Sequence, residues 1–202
     1  MEASLPPINF KIFVIAVIVA ALAIAAFMLW RWQMGRRMRA ARALAVTSCG
    51  YDFLRDILVP DGQDAALHVD FLLLTARGVV VIDLRDIAGN IFGGDQMTEW
   101  TVMHRSQRRT FANPQTGLYD RIAAVRALSQ ELPVEGRIVF TGRGKFPKGL
   151  PRHTLMLESL PSEFPASDRQ AMGALLERWM PGWNAIKHGV KPSQLALPKA
   201  AI

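Results

Sequence analysis

The segment LHVDFLLLTARGVVVIDLR, residues Leu67 to Arg85, decides the fold of this chain. Its two apolar runs have the length and the β-branched content of strands, and they flank a short polar break, TARG. The pattern therefore predicts a buried β-hairpin. A turn centred on residues 76 and 77 sets Asp70 opposite Asp83, whereas a turn one residue later sets the two one step apart.

The two carboxylates of the hairpin share a face in either register, with Cβ atoms about 5 Å apart when they are directly opposed. Like charges repel in this arrangement, and burying carboxylates without a partner costs several kcal/mol. A cation between Asp70 and Asp83 would remove the conflict. Arg85 lies two residues beyond Asp83, so strand alternation brings its guanidinium to the same face.

The hairpin is part of a longer series of motifs at defined spacing: HVDFLLLTARGVVVIDLRDIAGNIFGG, then Glu99-Trp100-Thr101, then Phe111-Ala112-Asn113-Pro114. Together, from about Tyr51 to Leu160, they resemble the nuclease-related domain (NERD) family, a branch of the PD-(D/E)XK fold. The resemblance implies an α/β domain with a restriction-endonuclease-like mixed sheet flanked by helices. It also implies that Asp70 and Asp83 are metal ligands for Mg²⁺ and that these two and Arg85 are the catalytic residues.

The sequence departs from the family pattern at several functional positions. Asp83 replaces the more usual Glu, Arg85 replaces Lys, and Gly117 stands where Gln is expected, with no His later in that helix. The family commonly places a Glu on its first helix, but no acidic residue lies between Glu2 and Asp52. Guanidinium stabilises negative charge but cannot act as a base. As an alternative to a metal site, Arg85 could neutralise Asp83 in a structural salt bridge. These departures favour a degenerate nuclease fold that binds nucleic acid or acts as a scaffold. An active Mg²⁺-dependent nuclease, and a subunit that binds other membrane-complex proteins without a nucleic-acid role, are the alternatives.

An apolar segment precedes this domain. Ile12 to Trp30 is 19 residues long and carries no charge, close to the roughly 20 residues that a helix needs to cross a bilayer. We therefore predict a transmembrane helix over residues 11–31 and a basic juxtamembrane helix over residues 32–48. A buried core helix is the alternative. The segment ends in bulky residues and then arginines, unlike a signal peptide.

The charge distribution predicts the topology. The net charge is +7, of which five arginines within residues 31–42 contribute +5 and residues 1–11 contribute zero. The positive-inside rule places residues 1–10 outside and the NERD-like domain, residues 49–180, in the cytoplasm of a bacterium, below its inner membrane. A single cysteine, Cys49, agrees with a cytosolic domain. We interpret the arginines as a topology and lipid-headgroup signal, with a nucleic-acid patch as the alternative.

A basic loop, HRSQRRT, is predicted over residues 104–110. It holds Arg105, Arg108 and Arg109, which could contact the phosphates of a nucleic acid. A solvated loop between a strand and a helix is the alternative.

The other predicted elements complete an α/β pattern. A first strand, with a helical turn as the alternative, is expected over residues 51–60, and later strands over residues 137–141 and 153–158. Asn113 and Pro114 have the residue types that begin a helix, with the apolar stripe Leu118, Ile122, Val125 and Leu128.

The C-terminal region is predicted to hold one more helix. It begins at Ser167-Asp168 and ends near Met180, with inward-facing residues Met172, Leu175, Leu176 and Trp179. Residues 181–202 contain three prolines and little periodicity, so an extended or disordered tail is expected.

Overall fold

The computed structural model describes residues 10–62, 65–129, 131–165 and 173–193. The chain divides into two compact units, Met1–Ala43 and Leu44–Ile202. Within the first unit, the described residues form a single helix that runs on into the second.

This helix, α1, spans Phe10–Thr47, so the two predicted helical segments are one continuous element. Ile12–Thr47 is long and apolar enough to cross a membrane, with a mean hydropathy of 3.1 over its most apolar 18 residues. None of that window is buried, which is the opposite of a core helix. The helix ends at Thr47, and the hydroxyls of Thr47 and Ser48 donate to the carbonyl oxygens of Leu44 and Ala45 in its last turn.

The second unit alternates strands and helices. Its strands are β1 Asp52–Pro60, β2 Ala66–Thr75, β3 Gly78–Arg85, β4 Gly89–Phe92, β5 Glu99–His104, β6 Gln107–Ala112, β7 Val134–Phe140, β8 Gly144–Lys145, β9 Thr154–Met156 and β10 Lys191–Pro192. Its helices are α2 Pro114–Ser129, α3 Leu160–Glu163 and α4 Gly173–Gly189, with a 3₁₀ turn at Leu157–Ser159. The predicted α/β class and mixed sheet are confirmed, and the first strand is extended rather than helical.

A six-stranded mixed sheet, sheet A, has the order β10-β1-β2-β3-β7-β9. The strands β10, β1, β2 and β3 pair antiparallel, whereas β3, β7 and β9 run parallel. Thr75 pairs with Gly78 across the β2–β3 turn, so this turn is centred on Ala76 and Arg77. A side chain at Gly78, which has φ +114°, would lie 2.3 Å from the carbonyl oxygen of Pro133, so this turn requires glycine.

A four-stranded sheet, sheet B, has the order β6-β5-β4-β8. Its inner side carries Trp100, which is fully buried and stacks on Phe140 of sheet A with ring centroids 6.2 Å apart. Phe111 and Phe146 pack against the edges of the same indole. Aromatic burial of this kind therefore joins the two sheets in one core.

The predicted basic loop at 104–110 is wrong in its secondary structure. Residues 107–112 form β6, which pairs with β5 over its full length, and only Arg105 and Ser106 lie in the turn. β6 is an edge strand, where charged side chains are common because they discourage pairing with other chains. Phe111 is the one buried side chain of β6, so the sequence of this strand lacks the apolar alternation by which a strand is recognised.

Helix α2 begins as predicted. Asn113 is its N-cap, since its Oδ1 accepts a hydrogen bond from the backbone N–H of Gln115 at 2.9 Å. Leu118, Ile122 and Val125 are buried on the side of the helix that packs on sheet A, and Leu128 is half-buried.

The C-terminal prediction is wrong for residues 181–193. Helix α4 continues through Pro181 to Gly189, and β10 then pairs with β1. Proline costs a helix interior about 3 kcal/mol, but Trp183 and Ile186 are fully buried beyond it, and these tertiary contacts outweigh that cost.

The predicted inward stripe of this helix is only partly confirmed. Trp179 is buried, but Leu175 is 40% exposed, so its predicted inward orientation is wrong. The predicted cap at Ser167-Asp168 and Met172 lie outside the described residues, as do the side chain of Leu176 and residues 194–202.

Candidate functional site

The hairpin of β2 and β3 places Asp70 and Asp83 on neighbouring strands. Their ladder runs from Thr75–Gly78 to Phe71–Ile82, and the next step of this register sets Asp70 opposite Asp83. The regular ladder stops there because a side chain replaces a backbone acceptor: the Oδ2 atom of Asp70 accepts the backbone N–H of Leu84 at 2.8 Å. The register therefore places Asp70 and Asp83 next to each other on neighbouring strands, just beyond the last regular pair.

Asp83 is buried and bound by guanidinium groups. Its side chain is 2% exposed, and its Oδ2 lies 2.6 Å from Nη2 of Arg85. Arg121 of α2 places Nη1 3.8 Å from the same oxygen. A carboxylate at this depth needs a cation and a hydrogen bond to remain ionised, and arginine supplies both. Arg85 therefore supplies the cation that pairs with Asp83.

Asp70 has a different environment on the neighbouring strand. Its Oδ1 lies 3.6 Å from Nδ1 of His68, and Nε2 of the same imidazole lies 3.8 Å from Oδ1 of Asp56. At this separation, the imidazole contributes a weak attraction that depends on its protonation. The carboxylate of Asp70 is therefore bound by the backbone N–H of Leu84 and lies beside the imidazole of His68.

Sequence reasoning missed Arg121 and His68 as part of this site. Besides its contact with Asp83, Arg121 donates to the carbonyl oxygens of His68 and Gly117. Arg121 follows the buried Leu118 by three residues, so it borders the apolar stripe of α2. A charged residue at the border of a buried stripe is the signal that could have identified it.

The donor atoms at the hairpin do not fit a Mg²⁺ site. Mg²⁺ prefers carboxylate oxygens and water in octahedral geometry, but the Oδ2 of Asp83 is already bound by a guanidinium, and a second guanidinium lies within ion-pair distance. Over the described ranges, no cluster of three or more His, Cys, Asp or Glu side chains is placed to hold a metal ion. The arrangement can pair charges, but it does not present an open cation site.

The Asn113-Pro114 motif has a structural role here. The amide of Asn113 donates to the carbonyl of Met97, and the buried Gln115 donates from Nε2 to Oδ1 of Asp95 at 2.8 Å. The hydrogen bond from Gln115, followed by one from the backbone of Arg152, lowers the pKa of Asp95. The hydrogen bonds of Asn113 and Gln115 therefore connect the start of α2 to the segment between β4 and β5.

The predicted nucleic-acid residues lie on the β5–β6 hairpin, and all three are exposed. Arg105 lies in the turn with φ +55°, while Arg108 pairs with Met103 and Arg109 with Val102. Because neighbouring residues of a strand point to opposite faces, Arg108 and Arg109 do not share a surface. Nη2 of Arg109 donates to Oε1 of Gln107 at 3.1 Å. The three arginines therefore do not form one patch.

Comparison with known families identifies the domain. The sequence model described as "NERD: Nuclease-related domain" matches residues 33–141, which is more than half of the chain. The match begins inside α1, ends after β7 and includes the whole β2–β3 hairpin. Searches among curated proteins and among solved structures return no significant match. The chain therefore belongs to the nuclease-related domain family, NERD.

Proposed function

We propose that this chain is a membrane-anchored NERD domain that has lost metal-dependent cleavage and binds nucleic acid beside the membrane. The observation that carries the proposal is the ion pair between the buried Asp83 and Arg85, 2.6 Å apart. A guanidinium at that position opposes the approach of a divalent cation and cannot take a proton from water. The fold would then be a PD-(D/E)XK derivative that keeps the hairpin but not its chemistry.

The membrane part of the proposal rests on α1. Its apolar window is fully exposed and has the length of a bilayer span, and five arginines follow within residues 31–42. By the positive-inside rule, these arginines lie on the cytoplasmic side of a bacterial inner membrane, with the N-terminus outside and the NERD domain inside. A nucleic acid bound by this domain would be held at the membrane surface.

The nucleic-acid part rests on exposed cations of the domain. Arg105, Arg108 and Arg109 extend from the β5–β6 hairpin, and all three side chains are exposed. Exposed arginines bind phosphates through charge and paired N–H groups, with an affinity that falls as salt rises. A scaffold that contacts only other membrane-complex proteins would not bind an oligonucleotide with this salt dependence.

Calorimetric titration of Mg²⁺ and Mn²⁺ into the full chain in detergent micelles tests the loss of catalysis. We expect no saturable heat in the parent, in Asp70→Asn or in Asp83→Asn, and no ion-dependent cleavage of DNA or RNA. Saturable binding that is lost in both variants, together with ion-dependent cleavage, would establish the active nuclease instead. Salt-sensitive binding of labelled oligonucleotides by the parent separates a nucleic-acid role from a purely protein scaffold.

A further inference from the structure

Sheet B has an outer face, defined here by the side chains that alternate away from the buried Trp100. A continuous row crosses this face, because Arg108 of β6 pairs with Met103 of β5, Met103 with Asn90 of β4, and Asn90 with Lys145 of β8. All four side chains are exposed. The neighbours of these residues along the strands confirm the alternation: Val102 and Ile91 are buried, and a Cβ at Gly144 would lie 2.9 Å from Ile91. Sheet pairing thus places two cations at the ends of one exposed row.

The spacing of this row suits an extended polyanion. Three strand intervals of about 4.8 Å put the backbones at Arg108 and Lys145 roughly 14 Å apart. Among the paired residues of sheet B that the structure describes, the acid on the outer face is Glu99, which pairs with Ala112 and lies four residues before Met103 on β5, or about 13 Å along the strand. The row itself is therefore positive at both ends.

The middle of the outer face offers flat, weakly polar surface. In the next row, Thr110 pairs with Thr101, and Thr101 with Phe92. The ammonium of Lys148 lies over the half-buried Phe92 ring, 6.0 Å from its centroid. Aromatic rings between cations are the combination that binds single-stranded nucleic acid, because bases stack on the ring while the backbone follows the charges. An anionic membrane surface would use the cations but gains nothing specific from the ring or from the amide of Asn90.

We infer that the outer face of sheet B is a platform for single-stranded nucleic acid, with phosphates on Arg108 and Lys145 and a base on Phe92. The inference rests on the proposed nucleic-acid role and narrows it, because only one arginine of the β5–β6 hairpin belongs to this face. It also adds Lys145 of β8 and the nearby Lys148, although the sequence around them matches no phosphate-binding motif.

Fluorescence anisotropy tests the inference with the full chain in zwitterionic nanodiscs and labelled single-stranded oligothymidylate or oligouridylate. The variants are Arg108→Gln combined with Lys145→Gln, and separately Phe92→Leu. A control for the loss of surface charge away from this face, Arg55→Gln, removes one exposed cation from sheet A, and it is compared with the single variants Arg108→Gln and Lys145→Gln as well as with the double variant. Circular dichroism of each variant verifies that the fold is retained.

We expect the double variant to reduce the slope of log affinity against log salt by about 1.4, or roughly 0.7 for each lost phosphate contact. Phe92→Leu should weaken binding roughly five- to hundredfold through lost stacking, and Arg55→Gln should match the parent. If the parent binds but Arg109→Gln weakens binding more than the double variant does, the outer-face inference fails while the proposed function stands. If the parent binds neither oligonucleotide, the outer-face inference fails, and the proposed function fails with it if labelled duplex DNA and duplex RNA are not bound either.

Acetylation footprinting of Lys145 separates the platform from a lipid-facing surface. The oligonucleotide should protect Lys145 from acetylation in zwitterionic nanodiscs. Protection by nanodiscs containing anionic lipid, with none from the oligonucleotide, would overturn the inference and assign this face to headgroups.

Discussion

Replacing Arg85 by Met tests the ion pair on which the loss of catalysis rests. The substitution keeps an apolar stem of similar length but leaves the carboxylate of Asp83, 2% exposed, without its 2.6 Å partner. Removing one member of a buried pair costs about 3–5 kcal/mol. Two features reduce that figure: Arg121 remains 3.8 Å away, and the buried Nε of Arg85, which has no hydrogen-bond partner among the described residues, is removed as well. We therefore expect a loss of about 2 kcal/mol in the free energy of unfolding.

Thermal unfolding of the full chain in micelles, followed by near-ultraviolet circular dichroism, measures this loss. For a chain of about 200 residues, 2 kcal/mol corresponds to a fall in Tm of about 4–8 °C. Asp83→Asn removes the buried charge, so the double variant Asp83→Asn/Arg85→Met should be more stable than the sum of the single effects predicts. The expected coupling is about 1–3 kcal/mol. Effects that add within about 0.5 kcal/mol would refute the ion pair and, with it, the physical reason for a closed hairpin site.

Three further predictions concern the rest of the domain. Partial burial opposes ionisation of Asp52, but hydrogen bonds from Lys187 and Trp183 outweigh it and lower the pKa of this carboxyl. The ionised carboxylate therefore stabilises the folded domain above the unfolded pKa of about 3.9, and this stabilisation is lost as the pH falls through the folded pKa. Asp52→Asn should therefore cost at most about 1 kcal/mol at neutral pH, since the pair is more than a third exposed, and nothing in acid; an equal cost at both pH values in denaturant titrations would contradict this. Gly93→Ala sets a Cβ 2.4 Å from the Trp100 ring and should lower the free energy of unfolding by about 1–3 kcal/mol through overpacking. In the control Gly94→Ala, the Cβ lies an ordinary 3.5 Å from Met97, so Tm should be nearly unchanged. Similar Tm values for the two variants would contradict the tight packing at Gly93. Burial raises the pKa of the Cys49 thiol by more than the hydrogen bond with Ser48 lowers it. Iodoacetamide should therefore label this thiol slowly until denaturant unfolds the domain. Rapid labelling of the native chain would show instead that the thiol is accessible.

Local sequence signals predicted most of the elements correctly where the hydrophobic pattern and the turn chemistry agreed. The β2–β3 hairpin, the Asn113 cap and the long apolar helix each carry such a signal within about twenty residues, and the structure contains all three. The predictions failed where long-range packing opposed the local signal. Pro181 indicated an end to the helix, yet Trp183 and Ile186 are buried beyond it.

The chemistry of the candidate site depended on contacts between distant parts of the chain. The sequence showed that Asp70 and Asp83 would share a hairpin and that Arg85 could reach Asp83, but it left metal and ion pair as competing partners. The tertiary structure adds Arg121 from α2, which lies 38 positions beyond Asp83 in the chain. No periodicity or spacing within the hairpin could reveal a second guanidinium from a helix.

The sequence by itself determined the membrane-length helix, the NERD hairpin and the departures from the family's catalytic residues, because each of these is a local matter of residue type and period. Only the tertiary structure decided which side chains share a surface. Strand pairing separates Arg108 from Arg109 and aligns Arg108 with Lys145 across four strands. The physical reason is that hydrogen-bonded register, not distance along the chain, determines which face of a sheet a side chain occupies.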